Sequence, residues 1–299
     1  MTGKDLKNSI LQLAIQGKLV PQNPNDEPAS ELLARIRQEK ERLVKEKKLK
    51  KKDLETTPIT DEEKPFAIPE SWEWIRMNDI ADYRKGPFGS SLTKSMFVPK
   101  SVNSIKVYEQ KNAIQKDYRL GEYYITQDKF ETMKGFAVCE GDIIVSCAGT
   151  IGESYQIPIN APIGIINQAL MRVRLFEKTM ADYWRLFFAD MLNHNADMKG
   201  SGSAIKNIPP FEVLKNIAMP IPPLAEQQRI VAKIEELMPL VEEYDKNEQK
   251  LAALNKALPE QLRQSVLQQA IMGRLVPQDD NDEPASELLA RIRKEKERL

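Results

Sequence analysis

The sequence predicts an α+β fold, with one mixed α/β domain over residues 65–222 and long helices on either side of it in the chain. Three observations predict this. A helical segment near the start of the chain recurs at its end. The middle mixes short strand patterns, glycine-containing turns and one aromatic-faced helix. A long heptad pattern then follows. The expected division is 1–64 for the N-terminal helical repeat and linker, 65–222 for the mixed domain, and 223–299 for the long helix and second repeat.

Residues Leu6 to Leu43 return as Leu262 to Leu299, with 29 of 38 positions identical. Gly17-Lys18-Leu19-Val20-Pro21-Gln22 matches Gly273-Arg274-Leu275-Val276-Pro277-Gln278. Two copies this far apart do not form a solenoid, which needs contiguous units. They bracket a unique region instead. Each copy reads as helix, turn, helix. Leu6, Ile10, Leu13 and Ala14 fall at helical spacing, and Gly17 ends the first helix. Pro21 and Pro24 fill the connection. Ser30 or Asp26 is the expected cap of a second helix striped by Leu32, Leu33 and Ile36. The basic run Lys45 to Lys52 reads as a solvated helix end, with contact to DNA phosphate as the sharper alternative.

Thr56 to Pro69 is rich in Thr, Pro, Asp and Glu and reads as a linker. Asp142 to Cys147 reads as a buried strand running into turns at Gly149 and Gly152. Ile163 to Phe176 holds two more strands. Thr179 to Met198 is the best helix of the middle, with Trp184, Phe187, Phe188, Met191 and Leu192 on one face as core. His194 falls near its end, at a surface or boundary position.

After Pro220, Pro222 and Pro223, residues Ala225 to Leu258 read as nearly continuous helix. Ile230, Ile234, Leu237, Val241, Tyr244, Glu248, Leu251, Asn255 and Leu258 follow alternating steps of four and three, the spacing of a helix-pairing seam. A rod of that length spans roughly 50 Å. Pro239 is expected to kink it and Pro259 to start a fresh helix. The alternative is an amphipathic helix lying on its own domain.

Composition narrows the function. Lys+Arg and Asp+Glu both total 44, and the middle domain carries 18 of the former against 17 of the latter. A uniformly basic nucleic-acid coat is excluded, so DNA contact needs local patches. His194 is the one histidine, and Cys139 and Cys147 are the two cysteines, too few for a multi-histidine metal site, a zinc cluster or a disulfide framework. The cysteine usage reads as that of a reduced, cytoplasmic protein. No run of 18 apolar residues is present, and no membrane partner is expected. Neither a Walker lysine motif nor a dinucleotide-binding glycine pattern appears, and no catalytic constellation assembles. No catalytic residue, metal ligand or cofactor is assigned to the chain.

Three loops mix glycine, serine and cations. The first is Arg84-Lys85-Gly86-Pro87-Phe88-Gly89-Ser90-Ser91, with Lys94 close behind. The second is Ala148-Gly149-Thr150-Ile151-Gly152-Glu153-Ser154-Tyr155, and the third Lys199-Gly200-Ser201-Gly202-Ser203-Ala204-Ile205-Lys206. Glycine lets backbone N–H groups approach phosphate closely, while Ser, Arg and Lys donate hydrogen bonds. Any one of these loops taken alone is an ordinary connector.

The arrangement resembles the specificity subunit of type I restriction–modification enzymes. The residues that carry the resemblance are Ile68-Pro69-Glu70-Ser71-Trp72-Glu73-Trp74, Gly86-Pro87-Phe88-Gly89-Ser90-Ser91-Leu92, Gly141-Asp142-Ile143, Gly149-Thr150-Ile151-Gly152, Asn167-Gln168 and Gly200-Ser201-Gly202. The most specific run is Ile221-Pro222-Pro223-Leu224-Ala225-Glu226-Gln227-Gln228-Arg229-Ile230-Val231.

The resemblance implies that residues 65–222 are a target recognition domain and that the long helices form an antiparallel coiled-coil spacer. It implies a non-catalytic subunit that reads double-stranded DNA and docks methyltransferase subunits, where S-adenosylmethionine is bound, with a restriction subunit able to join. One recognition domain instead of the family's usual two makes the chain a half-length form. The expected assembly is a homodimer reading an inverted repeat with a gap. Expected DNA contacts are Arg84, Lys85, Ser90, Ser91, Lys94, Thr150, Lys199, Ser201, Ser203 and Lys206. The expected dimer or partner face is Ile230, Ile234, Leu237, Val241, Tyr244, Leu251, Asn255 and Leu258. The competing readings are an interaction protein that binds a methyltransferase without reading DNA, and the product of a truncated gene or recombination cassette.

Overall fold

The computed structural model describes residues 2–148, 150–194, 208, 210–277, 279 and 281–298. Two compact units divide the chain, Gly3–Val241 and Glu242–Leu299.

The first unit opens with α1 (Gly3–Ile15) and α2 (Ala29–Lys45). α1 stops ahead of Gly17, whose φ of +70° turns the chain out of the helix. α2 begins after Pro28 without a side-chain cap. Neither expected cap residue serves there. Ser30 lies inside the helix, and the Asp26 carboxylate is taken by Arg229. Ile10, Leu11, Ala14, Ile15, Ala29, Leu32 and Ile36 are buried and belong to the main core. The repeat is therefore a part of the domain's own interior, not a separate appendage.

The strands and helices of the middle follow in order. They are β1 (Glu73–Arg76), α3 (Met77–Ile80), β2 (Ala81–Lys85), β3 (Ile105–Tyr108), α4 (Gln110–Ile114), β4 (Tyr124–Ile125), α5 (Gln127–Thr132) and β5 (Ala137–Val138). Then come β6 (Ile143–Ser146), β7 (Ser154–Gln156), β8 (Gly164–Ile166), β9 (Leu170–Leu175), α6 (Ala181–His194), α7 (Phe211–Asn216) and β10 (Ala218–Ile221).

The strands make three sheets. β1 pairs with β10 and so ties the entry of the domain to its exit. One four-stranded antiparallel sheet has the order β2-β9-β6-β7. A second has the order β4-β3-β8-β5, with β3 and β8 parallel. The two strands expected within Ile163–Phe176 are β8 and β9, and they belong to different sheets. Trp184, Phe187, Phe188, Met191 and Leu192 of α6 are all buried, and the Trp184 and Phe188 rings stack at 4.7 Å.

The linker is pinned rather than loose. The Arg76 guanidinium, 5% exposed, donates to the Thr57, Pro58 and Asn216 carbonyls and pairs with Glu63.

α8 runs from Leu224 to Ile271, and α9 from Ala285 to Arg298. The expected break at Pro259 does not occur, because helix is continuous through both Pro239 and Pro259. Each proline forfeits a backbone bond to the carbonyl four residues back. Burial of Ile230, Ile234 and Val241 offsets that loss around Pro239. Around Pro259 the flanking Ala, Leu, Lys, Glu and Gln residues are strong helix formers.

Candidate nucleic-acid interface

The β2-β9-β6-β7 sheet sets the position of the first two loops. Both leave its strands at the same end and flank one turn. β2 pairs with β9 in antiparallel register up to Lys85 opposite Met171. At the next residue the Gly86 N–H donates to the Leu170 carbonyl at 2.9 Å. A Cβ on Gly86 would collide with the Asn167 carbonyl, so only glycine permits this close approach. From the other side the Cys147 N–H donates to the Ala169 carbonyl at 2.9 Å. The turn Asn167–Ala169 is closed by its own Asn167 side chain, which accepts from the Ala169 N–H at 3.1 Å.

Loop one presents most of its predicted residues to solvent. Arg84, Lys85, Ser90, Ser91 and Lys94 are exposed. Among the described residues, Arg84, Lys85 and Lys94 enter no ion pair. Other arginines of the same sheet are committed. Arg172 is 4% exposed and pairs with Asp82, and Arg174 pairs with Asp142 at 2.6 Å. Burial pushes the Arg172 guanidinium below its usual pKa, and the neighbouring positive charges of Arg174 and Arg84 add to that. Leu92 is buried beside Val107, Ile125, Met133 and Ile165, which fixes the far side of the loop to the second sheet.

Loop two is anchored as firmly. The Gly152 N–H donates to the Ser146 carbonyl at 2.9 Å, and the Ser146 N–H to the Glu153 carbonyl at 2.9 Å. Gln110 of α4 donates to the Ala148 carbonyl and to Ser146 Oγ. Thr150 is exposed. Leu192 Cδ1 occupies the space beside Gly152, so loop two lies against the last turns of α6. Burial pushes the Cys147 thiol up to about 11, opposed by the charge of Lys85. The thiol is therefore protonated at neutral pH and unsuited to nucleophilic work.

The structure thus brings Lys85, Gly86, Cys147, Ala148 and the Asn167–Ala169 turn together. The third loop, with Lys199, Ser201, Ser203 and Lys206, lies outside the described residues, as do Gly149 and the side chain of His194. Two residues outside the expected set of DNA contacts join the cluster. Gln110 reaches loop two, and Gln168 is exposed on the shared turn. Glutamine amides suit bidentate contact with adenine. Asn167-Gln168 stood in the motif set, but no pattern in the sequence ties Gln110 to residue 148.

The run from Ile221 to Val231 forms a latch. Glu226, 1% exposed, accepts from Trp72 Nε1 at 2.8 Å and from Gln22 Nε2. Arg229 pairs with Asp26, and Gln227 Nε2 donates to the Pro222 carbonyl at 2.9 Å. The Ala29 N–H donates to the Ser71 carbonyl at 3.0 Å. Burial raises the Glu226 pKa, and the hydrogen bonds from Trp72 and Gln22 oppose the rise. This motif holds the first repeat, the domain entry and the start of α8 together.

The predicted partner face divides in two. Ile230, Ile234 and Val241 are buried in the first unit's own core, with Leu237 packed beside them. Over that stretch the amphipathic alternative describes the helix. Tyr244, Leu251, Asn255 and Leu258 are exposed.

Residues 69–255 match the family model of the type I restriction modification DNA specificity domain. The chain belongs to this family. The type I restriction enzyme EcoAI specificity subunit of Escherichia coli is 33% identical, over 99% of this chain and 56% of that relative. The EcoEI specificity subunit of Escherichia coli is 32% identical, over 99% of this chain and 55% of that relative. The chain spans about half the length of these curated relatives. Among solved structures, the HsdS subunit from Thermoanaerobacter tengcongensis aligns with a TM-score of 0.42 at 18% identity, over 91% of this chain and 57% of that one. Among the described residues of this specificity-domain chain, no cluster of His, Cys, Asp and Glu could hold a metal ion. No described helix is long and apolar enough to cross a membrane.

Proposed function

We propose that this chain is the DNA-reading part of a type I restriction–modification enzyme and that its recognition domain reads one half of a split target. The observation that carries the reading is the meeting of two anchored Gly/Ser loops at one sheet end, with Arg84, Lys85 and Lys94 unpaired among the described residues. Exposed cations suit phosphate, and an Arg side chain in the major groove suits guanine. Ser90, Ser91 and Thr150 supply further donors, and the third loop adds Lys199, Ser201, Ser203 and Lys206.

The chain itself performs no chemistry and binds no cofactor. Methyltransferase subunits dock on its helical parts and carry S-adenosylmethionine, and a restriction subunit joins that complex in the cytoplasm. Two copies pair antiparallel through the exposed stretch of α8 that holds Tyr244, Leu251, Asn255 and Leu258. Ile230, Ile234 and Val241 serve the domain core instead. Such a two-fold dimer reads an inverted repeat with a central gap.

The test is selection of target sites from a random duplex library by the 299-residue chain assembled with its modification subunit. The expected product is a gapped inverted repeat. Arg84→Ala together with Lys85→Ala should weaken binding about tenfold or more, with the thermal transition unchanged. Absence of any preferred site overturns the DNA-reading role and leaves the interaction-protein reading. A single non-palindromic site overturns the two-fold pairing alone.

A further inference from the structure

Phe88 stands at the tip of the first loop with 87% of its surface exposed. The loop beneath it is anchored. Gly86 is locked against Asn167, Pro87 is buried, and the Ser91 N–H donates to the Phe88 carbonyl at 2.8 Å in a short 3-10 turn. Beyond the tip, a Cβ on Gly89 would meet nothing within 4 Å. An apolar ring therefore stands out in solvent at the tip of an anchored loop. Other exposed apolar side chains of the domain, such as Val102 and Ile159, lie outside this loop.

The surroundings identify the kind of surface the ring fits. Arg84, Lys85 and Lys94 flank it in sequence, are exposed, and have no ion-pair partner among the described residues. A partner complementary to this arrangement is anionic at its rim and apolar within. A DNA groove has that pattern, with phosphates along its edges and the thymine methyl group as the apolar feature of the major-groove floor.

We infer that Phe88 packs its ring on a thymine methyl group and so makes the loop a reader of one T·A pair, while its cationic neighbours hold the phosphates. This rests on the DNA-reading role proposed above and names a base-contacting residue for it. It separates two duties within one loop. Lys85 and Lys94 set affinity for any duplex, and Phe88 sets preference at one position.

The experiment is site selection with the 299-residue chain and its modification subunit, comparing the unaltered protein with Phe88→Ala and Phe88→Leu. Melting of each variant checks the fold, and a ring this exposed contributes little to stability. The expected result is that Phe88→Ala loses the preference for thymine at one position of each half-site. Its affinity for the selected site should fall about tenfold, and its affinity for unrelated duplex should stay within about twofold. Phe88→Leu should keep part of the preference. Replacing that thymine with deoxyuridine should weaken the unaltered protein to the level of Phe88→Ala and leave the variant unaffected. An unchanged preference at every position in Phe88→Ala overturns the inference while the DNA-reading role stands. A lost preference that is insensitive to deoxyuridine overturns the methyl contact. A protein with no preferred site in any form overturns both.

Discussion

The first and second helical repeats have nearly the same sequence and opposite surroundings. Ile10, Leu11, Ala14, Ile15, Ala29, Leu32 and Ile36 are buried, whereas their counterparts Val266, Leu267, Ala270, Ile271, Ala285, Leu288 and Ile292 are all exposed. Yet the local structure agrees to the residue. Helices end at Ile15 and Ile271, and new ones begin at Ala29 and Ala285. Gly17 and Gly273 take φ values of +70° and +67°. Helix limits here follow from local chemistry, while burial follows from the surface a repeat meets. The first repeat meets Trp72, Glu226 and Arg229.

The nine differences between the copies sharpen the point. They fall at positions 7, 8, 10, 13, 16, 18, 23, 24 and 38 of the first copy. Of these only Ile10 is buried, and its replacement is Val266. Apart from Ile10 to Val266, the second copy keeps every residue of the face that the first one buries, including Lys296 where the buried Lys40 stands. Lys40 is 4% exposed and lies 3.8 Å from Asp79, and burial pushes its ammonium pKa down.

The largest expected contrast is between Leu32→Ala and Leu288→Ala. Leu32 is 1% exposed and Leu288 is 48% exposed. Removing a buried leucine side chain costs about 2–5 kcal/mol, through lost transfer energy and the cavity left behind. The same change at an exposed site stays within about 0.5 kcal/mol. Urea unfolding of both variants of the 299-residue chain measures the difference. Equal losses would mean that a partner covers the second repeat in solution as the domain covers the first.

A second contrast concerns Glu226, the carboxylate that receives the first repeat. Its pKa is raised in the folded protein by burial. The folded state therefore binds this proton more tightly than the unfolded chain does. The resulting stability is fully present below the ordinary glutamate range and is lost as pH rises through the raised value. Glu226→Gln should remove that downward slope. Thermal unfolding of the two proteins from pH 4 to pH 8 should show curves that converge toward the acid side once other groups are common to both. Parallel curves across the whole range would mean the carboxylate is not held away from water.

Much of this was legible because it is local. The aromatic face of α6, the strand at Ile143–Ser146 and the turn at Gly17 each follow from residues within a few positions of one another. What stayed hidden depends on distant partners. Nothing in the sequence pairs β3 with β8 in parallel, or β1 with β10 across the domain. Heptad spacing alone could not show that Ile230, Ile234 and Val241 face their own domain while Tyr244 and Leu258 do not, since both arrangements use the same period. The proline at 259 misled for a related reason. A local penalty is legible, but the packing and helix propensity that outweigh it are summed over many residues. At the candidate interface, loop one and loop two could be nominated by composition. Their meeting around Asn167, and the arrival of Gln110, needed the sheet order.

The smallest expected contrast is one that should vanish. Arg35 pairs with Glu27, and Arg291 pairs with Glu283 at 2.6 Å, so the same ion pair across eight residues forms in both repeats. Both arginines are well exposed, with side chains 48% and 64% accessible. Exposed pairs contribute about 0–1 kcal/mol, because solvent screens them and two long side chains must be held in place. Arg35→Ala and Arg291→Ala should therefore shift the unfolding midpoint by similar, barely measurable amounts, even though one lies in a repeat packed into a core. A large loss for Arg35→Ala alone would show that this ion pair braces the buried face of α2. Local structure and burial would then be coupled in the first repeat, against the separation that its matching helix limits with the second repeat imply.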